Sequence, residues 1–322
     1  MAEKKVGKVI YRKALSPMLE LFRIAPEDSV PFPRYKAGQY IALSRENCKL
    51  TRKIISEDGA TSYVYDLDEQ GRHKRGQVTH SYSISSAPSE TEEHGYLEFY
   101  VVLEMIETGD PGRLSESLFH IDPENDNKIT YINKITGDFT LERRAEGCKN
   151  VVMVGTGTGL APFAAMAKEL YHDALAGKSS NTRYTLFHAN RTIEELGYHQ
   201  ELMEIEAARK FDFVYVPSVS RPTTRDQQDG SIGKGRANNI LRMLFEMPIK
   251  NEKSGSKNSD RSAEARRQAV PPVLPQRHSR QELLHRMHAP DTVILTCGNP
   301  RVMDDIKCIA DEHQIRFEKE DW

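Results

Sequence analysis

The segment that most constrains the fold is Val151-Val152-Met153-Val154-Gly155-Thr156-Gly157-Thr158-Gly159-Leu160-Ala161-Pro162-Phe163. Its first four residues form a short apolar, β-branched run of the kind that sits in a parallel sheet covered on both faces. Three alternate glycines follow at once. A helix then starts near Ala161-Pro162, with proline in the first turn, where its missing N–H costs nothing. Strand, glycine turn and helix in that order bring backbone amides and the positive end of a helix dipole to one point, where a pyrophosphate fits. The spacing is Gly-x-Gly-x-Gly, which departs from the Gly-x-Gly-x-x-Gly of the common dinucleotide fingerprint.

Around this segment the chain divides in two. Residues 1–146 read as strands separated by Pro, Gly and charged turns, with alternation in Gly7-Lys8-Val9-Ile10-Tyr11-Arg12 and Leu97-Glu98-Phe99-Tyr100-Val101-Val102-Leu103, which predicts an antiparallel β-barrel. Within them, 46–77 is longer than a barrel hairpin needs, and Ser62-Tyr63-Val64-Tyr65-Asp66-Leu67 has the pattern of an extra strand. Residues 147–322 alternate strands (151–154, 185–188, 213–217, 293–296) with helices (162–176, 193–208), as a doubly wound parallel α/β sheet requires. Thr192-Ile193-Glu194-Glu195 has capping-box form at the second helix, and Ser279-Arg280-Gln281-Glu282 repeats it at a third.

The stretch 251–280 interrupts the plan. It is rich in Ser, Lys, Arg, Asn and Pro, and reads as a flexible surface insertion. The competing reading is a basic docking arm, in which Lys253, Lys257, Arg261, Arg266, Arg267, Arg277 and Arg280 meet an acidic partner.

Composition narrows the function classes. The 322 residues are 38% hydrophobic and 29% charged, which suits two ordinary globular domains. A net charge of −2 offers nothing for nucleic acid. No apolar run reaches membrane-spanning length, and Met1-Ala2-Glu3-Lys4-Lys5-Val6 lacks a signal-peptide core, so no membrane association and a cytoplasmic location are expected. Cys48, Cys148, Cys297 and Cys308 have neither metal-ligand nor iron–sulfur spacing, so no metal site is expected in this chain.

A second segment, Thr79-His80-Ser81-Tyr82-Ser83-Ile84-Ser85-Ser86-Ala87-Pro88, is an alternating strand running into a turn. With Gly-Thr-Gly-Thr-Gly-Leu-Ala-Pro-Phe at 155–163, it resembles the ferredoxin-NADP reductase family, whose flavin barrel precedes its pyridine-nucleotide domain. Further likenesses follow in the family's order: Lys36-Ala37-Gly38-Gln39-Tyr40, Gly112-Arg113-Leu114-Ser115, Thr136-Gly137-Asp138-Phe139, and Leu295-Thr296-Cys297-Gly298-Asn299-Pro300. The terminal Trp322 resembles the aromatic end of the bacterial members.

The resemblance implies roles. FAD would be held by His80, Ser81, Tyr82, Ser83, Tyr100, Val101, Gly112, Arg113, Leu114 and Ser115, with Tyr82 on the isoalloxazine and Ser83 near N5, where hydride arrives. NADP(H) would be held by Thr156, Gly157, Thr158, Gly159, Arg191, Ser220, Arg221, Arg236 and Gly298. Cys297 would lie beside the nicotinamide, and Trp322 would either stack on the flavin or lie on the surface. The catalytic group implied is therefore Ser83, Cys297 and Trp322. His80 departs from the family, which has arginine there. Imidazole offers fewer donors and is mostly neutral at pH 7. Loss of one charge-assisted bond is worth roughly 1.5–3 kcal/mol, unless Arg113 or amides near Ser115 compensate.

Charge decides the expected nucleotide. An NAD site places an acid near the end of the second strand, and an NADP site replaces it with cations. Here that strand ends in Arg191, the third in Ser220-Arg221, and Arg236 follows, with no acid at the first position. NADPH is therefore expected over NADH by roughly two orders of magnitude, if two contacts of about 1.5–3 kcal/mol are lost with NADH. The reading is an FAD-dependent oxidoreductase passing electrons between NADPH and a one-electron carrier such as ferredoxin or flavodoxin. The alternatives are the reductase component of an oxygenase, a flavin or quinone reductase, and a flavin-binding regulatory protein without efficient turnover.

Overall fold

The fold is taken from a computed structural model, which describes residues 3–55, 59, 61–106, 109–122, 124–178, 180–251 and 269–320. The chain forms two compact units, Met1–Thr140 and Leu141–Trp322.

In the first unit, β1 (Lys4–Ser16), β2 (Leu19–Pro26), β3 (Tyr40–Lys49), β6 (Arg75–Ser83), β7 (Leu97–Val102) and β8 (Lys128–Ile132) form an antiparallel sheet in the order β6-β3-β8-β1-β2-β7. The alternation read in the sequence is what lets such a sheet bury one face. Just past β6, the Ser85 amide donates to the Glu98 carbonyl of β7 at 2.9 Å, so the first and last strands meet and the sheet closes into a barrel. Its interior holds Phe22, Ile24, Ile41, Leu43, Phe99 and Tyr131, all essentially excluded from water.

The extra strand expected in 46–77 is β5 (Thr61–Tyr65). It pairs with β4 (Thr51–Ile55) as a two-stranded ribbon apart from the barrel sheet. Two short helices complete the described unit, α1 (Pro88–His94) and α2 (Arg113–Phe119).

The second unit is a parallel sheet in the order β12-β11-β10-β9-β13-β14, with β9 at Asn150–Thr156, β10 at Arg183–Asn190, β11 at Phe213–Val219, β12 at Gly233–Lys234, β13 at Thr292–Cys297 and β14 at Arg316–Lys319. Strands β9, β10, β11 and β13 are buried almost throughout, which is why they read as continuous apolar runs. From β9 the chain proceeds to β10 on one side and later to β13 on the other. The end of β9 is thus the switch point of the sheet, where open α/β sheets bind ligands. Helices α4 (Ala161–Leu175), α5 (His199–Ala208), α7 (Ala237–Leu244), α8 (Arg280–His285) and α9 (Pro300–Glu312) accompany the strands, with short α3 (Leu141–Arg144) and α6 (Thr224–Gln228).

One local expectation needs correction. The helix over 193–208 is broken into a 3-10 turn at Ile193–Glu195 and α5, because Tyr198 takes a left-handed φ of 59° between them. Thr192 makes no side-chain cap, and the Glu195 carboxylate is bonded to Arg191 instead.

The stretch 251–280 is described only in part. Residues 252–268 lie outside the described residues, along with Lys253, Lys257, Arg261, Arg266 and Arg267. Among the described residues, 269–280 make contacts with the sheet. Val273 bridges Lys234 through paired backbone bonds of 2.8 and 2.9 Å, and the Gln276 amide donates to Gly230 O at 2.9 Å. Arg277 donates to Tyr215 O at 2.6 Å and pairs with Glu206, while Arg280 pairs with Glu246. These two arginines are structural cations in the fold, satisfied by their own unit. Helix α8 keeps its Ser279 cap, whose Oγ accepts from the Glu282 amide at 3.1 Å.

Candidate functional site

In the first unit, β6 carries the His80-Ser81-Tyr82-Ser83 segment beside β3, pairing His80 with Leu43 and Tyr82 with Ile41. The two-residue period puts Val78, His80 and Tyr82 on one face of β6. Val78 lies in the barrel core, and Tyr82 packs against it with its ring edge-on to Phe99 at 6.4 Å. Burial holds the Tyr82 phenol in its neutral form, above its ordinary range. Ser83 is buried, and Ser81 is exposed.

Arg113 comes to this strand from the first turn of α2. Its Nη2 lies 3.4 Å from His80 Nε2, so the two residues read as diphosphate ligands from distant parts of the sequence are neighbours. His80 is half-buried. Burial lowers its pKa below the ordinary imidazole value, Glu104 pulling it up and Arg113 pushing it further down. The imidazole is therefore neutral at pH 7, and Arg113 carries the positive charge of the pair.

The loop that delivers Arg113 is anchored from several sides. Ser115 Oγ accepts from the Glu104 amide at 3.0 Å, and Tyr65 of the ribbon donates to the Pro111 carbonyl at 2.7 Å. Lys49 pairs with Glu116 at 2.5 Å, and Arg45 donates to Ser117 Oγ at 2.8 Å. A side chain on Gly112 would press on Glu104, its Cβ meeting Glu104 O at 3.1 Å. The Ser115 hydroxyl thus shapes the loop. Leu114, Tyr100 and Val101 are buried, so any part they take in a ligand site is through the backbone or by packing. The ribbon's share in this bracing was not legible in the sequence, because the Tyr65–Pro111 contact spans 46 positions.

In the second unit, a 3-10 turn at Gly157–Leu160 joins β9 to α4. The three glycines have different reasons to be there. Gly157 has φ 59° and faces open space, so it alone keeps an exposed backbone surface clear. A Cβ on Gly155 would meet Leu160 Cα at 2.9 Å, and one on Gly159 would collide with the Cys297 carbonyl. Gly298, with φ 123°, packs against the backbone and hydroxyl of Thr156 in the same way. Thr156 Oγ1 also accepts from the Asn299 amide at 3.0 Å. The turns after β9 and β13 are therefore fastened together at the switch point. Thr158, between Gly157 and Gly159, is partly exposed.

Cys297 is fully buried, and its thiol donates to Glu320 Oε2 at 2.8 Å. Burial and the adjacent carboxylate push this thiol well above its ordinary value, so it stays protonated. Glu320 was absent from the expected site. Its amide bonds to Thr296 O at 3.0 Å, which brings the end of the chain beside β13. Trp322 lies outside the described residues.

The three arginines expected at a 2′-phosphate cluster along neighbouring strand ends. The Ser220 amide donates to Asn190 O at 2.9 Å and the Arg221 amide to Arg191 O at 2.8 Å, while Gly235, before Arg236, donates to Val219 O at 2.9 Å. Arg191 is not a bare cation, however. Its Nε donates to Glu195 Oε2 at 2.7 Å and its Nη2 bonds Oε1. An acid that the strand end itself lacks thus stands beside Arg191. The acid comes from four residues further on, folded back by the 3-10 turn.

Residues 153–254 match the family of the oxidoreductase NAD-binding domain. No curated protein matches the sequence. Among solved structures, a ferredoxin NADP+ reductase from Neisseria gonorrhoeae, solved with FAD and NADP bound, superposes with a TM-score of 0.59 at 21% identity, covering 99% of each chain. The fold is that of the ferredoxin-NADP reductases. The cytochrome b5 reductase domain of Ulva prolifera nitrate reductase shares this reductase fold (TM-score 0.57, 15% identity, 98% of this chain and 97% of that one). So does the FAD/NAD-binding domain of nitric oxide dioxygenase from Vibrio cholerae (TM-score 0.55, 16% identity, 98% of each chain). Among the described residues, no helix is long and apolar enough to cross a membrane.

Proposed function

We infer that the protein is an FAD-dependent NADPH oxidoreductase that hands electrons to a one-electron carrier such as ferredoxin or flavodoxin. The observation that carries this reading is the gathering of the Gly157 turn, Ser220-Arg221 and Cys297-Gly298 at the carboxyl edge of one parallel sheet, at its switch point.

The residues present suit both groups. Gly157 leaves room for a pyrophosphate at the start of α4, and Arg113 with His80 offers a cation and an imidazole nitrogen to a flavin diphosphate. Bound FAD supplies the chemistry, taking two electrons as hydride from NADPH and releasing them singly. The chain's part is to bind and orient. Tyr82 and Ser83 sit on a rigid barrel strand, Arg113 is held by a braced loop, and Cys297 shapes the wall of the nucleotide site as a neutral thiol.

The test is anaerobic stopped-flow bleaching of the FAD-loaded protein by NADPH and by NADH. Rapid bleaching by NADPH supports the reading. A protein that binds no flavin, or whose flavin neither nucleotide reduces, refutes it in favour of a binding protein without turnover. Domains of this fold occur in a nitrate reductase and in a nitric oxide dioxygenase, so the oxygenase-reductase reading is tested by offering each class of acceptor in steady state.

A further inference from the structure

The β4–β5 ribbon lies between β3 and β6 in the chain, and its root is fastened to the barrel. Leu50, which packs against the barrel core, donates its amide to Lys74 O at 2.9 Å and accepts from the Asp66 amide at 2.9 Å. From this root Tyr65 reaches the loop before α2, where its hydroxyl donates to the Pro111 carbonyl at 2.7 Å. The ring is itself held, edge-on to His73 at 4.5 Å and with Lys49 Nζ over it at 5.4 Å. Burial, with Glu116 and Asp110 nearby, pushes the phenol up to about 12, so the proton it donates is present at neutral pH.

Tyr65 and Lys49 bracket Arg113. Pro111 precedes it by two positions, and Glu116, which pairs with Lys49 at 2.5 Å, follows it by three. Between Pro111 and Arg113, the Gly112 amide donates to Glu104 O. The guanidinium itself meets His80 Nε2 only at 3.4 Å, a length that gives little hold. Its place is therefore set by where the loop carries its Cα. A loop released from an anchor must be ordered again when a ligand binds, and that ordering is subtracted from the affinity.

We propose that Tyr65 is a positioning residue for the flavin diphosphate: its bond to Pro111 fixes the Gly112-Arg113 turn before the flavin arrives, so that the guanidinium is already in place. The proposal rests on the reading that Arg113 meets the flavin diphosphate. It gives the ribbon a part in cofactor affinity, and it assigns that part to a hydroxyl bonded to the protein's own backbone.

The experiment is fluorescence titration of FAD into the apoprotein of the full chain. Tyr65→Phe keeps the ring against His73 and Lys49 and removes only the hydroxyl. It should weaken FAD by about three- to tenfold, the effect of one neutral hydrogen bond. Made in an Arg113→Gln background, the same change should weaken FAD by less than about twofold, because no guanidinium is left to position. A tyrosine with a merely structural role weakens FAD equally in both backgrounds. Lys49→Met, which frees Glu116 instead, should show the same dependence on Arg113, and it keeps the test open if Tyr65→Phe does not fold. An unchanged FAD affinity, or a loss of equal size with and without Arg113, overturns the proposal. A parent protein that binds no FAD overturns the flavin reading itself and the proposal with it, a result seen before any variant is made.

Discussion

Replacing His80 by arginine restores a cation at a place where the fold already holds one, and the structure sets the size and sign of the effect. His80 Nε2 is 3.4 Å from Arg113 Nη2, and its imidazole is neutral because burial and Arg113 both oppose its charge. A new guanidinium contact to a flavin diphosphate is worth about 1.5–3 kcal/mol. Against this stands the repulsion of two cations about 4 Å apart, about 1 kcal/mol where water screens them. That repulsion is present with and without FAD and cancels in the binding free energy, so FAD should bind tighter by about 10- to 150-fold, while the loaded protein keeps a net gain in stability of about 0.5–2 kcal/mol. Without FAD the repulsion stands alone, so the apoprotein should melt earlier than the parent, while the loaded protein melts later. Fluorescence titration of FAD into apoprotein reads the first quantity, and thermal melts with and without FAD read the second. An FAD affinity that is unchanged or weaker, with melts moving in the same direction in both states, would refute the assignment of His80 to the diphosphate.

The glycines of the nucleotide turn should separate by position. Gly159→Ala drives a Cβ into the Cys297 carbonyl and should cost about 1–3 kcal/mol in urea unfolding together with nucleotide affinity, whereas Gly157→Ala meets no atom and should cost only the about 1–2 kcal/mol of a left-handed alanine. In the same sheet, His188 is fully buried beside Tyr215, and desolvation lowers its pKa to about 3, with His199 as the second cause. The unfolded chain takes up that proton near 6.5 while the folded one does not. Stability should therefore be intact above that pH and fall by about 1.4 kcal/mol per pH unit as pH drops from there towards 3, a slope that His188→Asn flattens in urea melts followed by circular dichroism. Finally, the Asp305 carboxylate is fully buried between Arg242 at 2.6 Å, Lys250 at 2.8 Å and Asn238 at 2.7 Å. Asp305→Ala leaves Arg242 without its buried counter-charge and should cost about 3–5 kcal/mol, a loss that a variant as stable as the parent would exclude.

Local pattern was enough to read the elements whose burial is uniform. Strands β9, β10, β11 and β13 are covered on both faces, so each had to be an unbroken apolar run, and the glycine turn at 155–159 could only join a strand to a helix. The division into a barrel half and a parallel-sheet half followed from the change of period between them. What the sequence could not determine is how side chains far apart along the chain neutralise or brace one another. Val273 and Arg277 fasten a stretch that reads as flexible onto β11 and β12, because its few ordered contacts lie against a neighbour 39 to 62 positions away. His80 and Arg113 meet only when α2 returns to β6. Glu195 reaches Arg191 because a 3-10 turn replaces the expected helix and folds the acid back. Periodicity reports which face of an element is dry, and charge balance within a site depends on distances that only the closed fold sets.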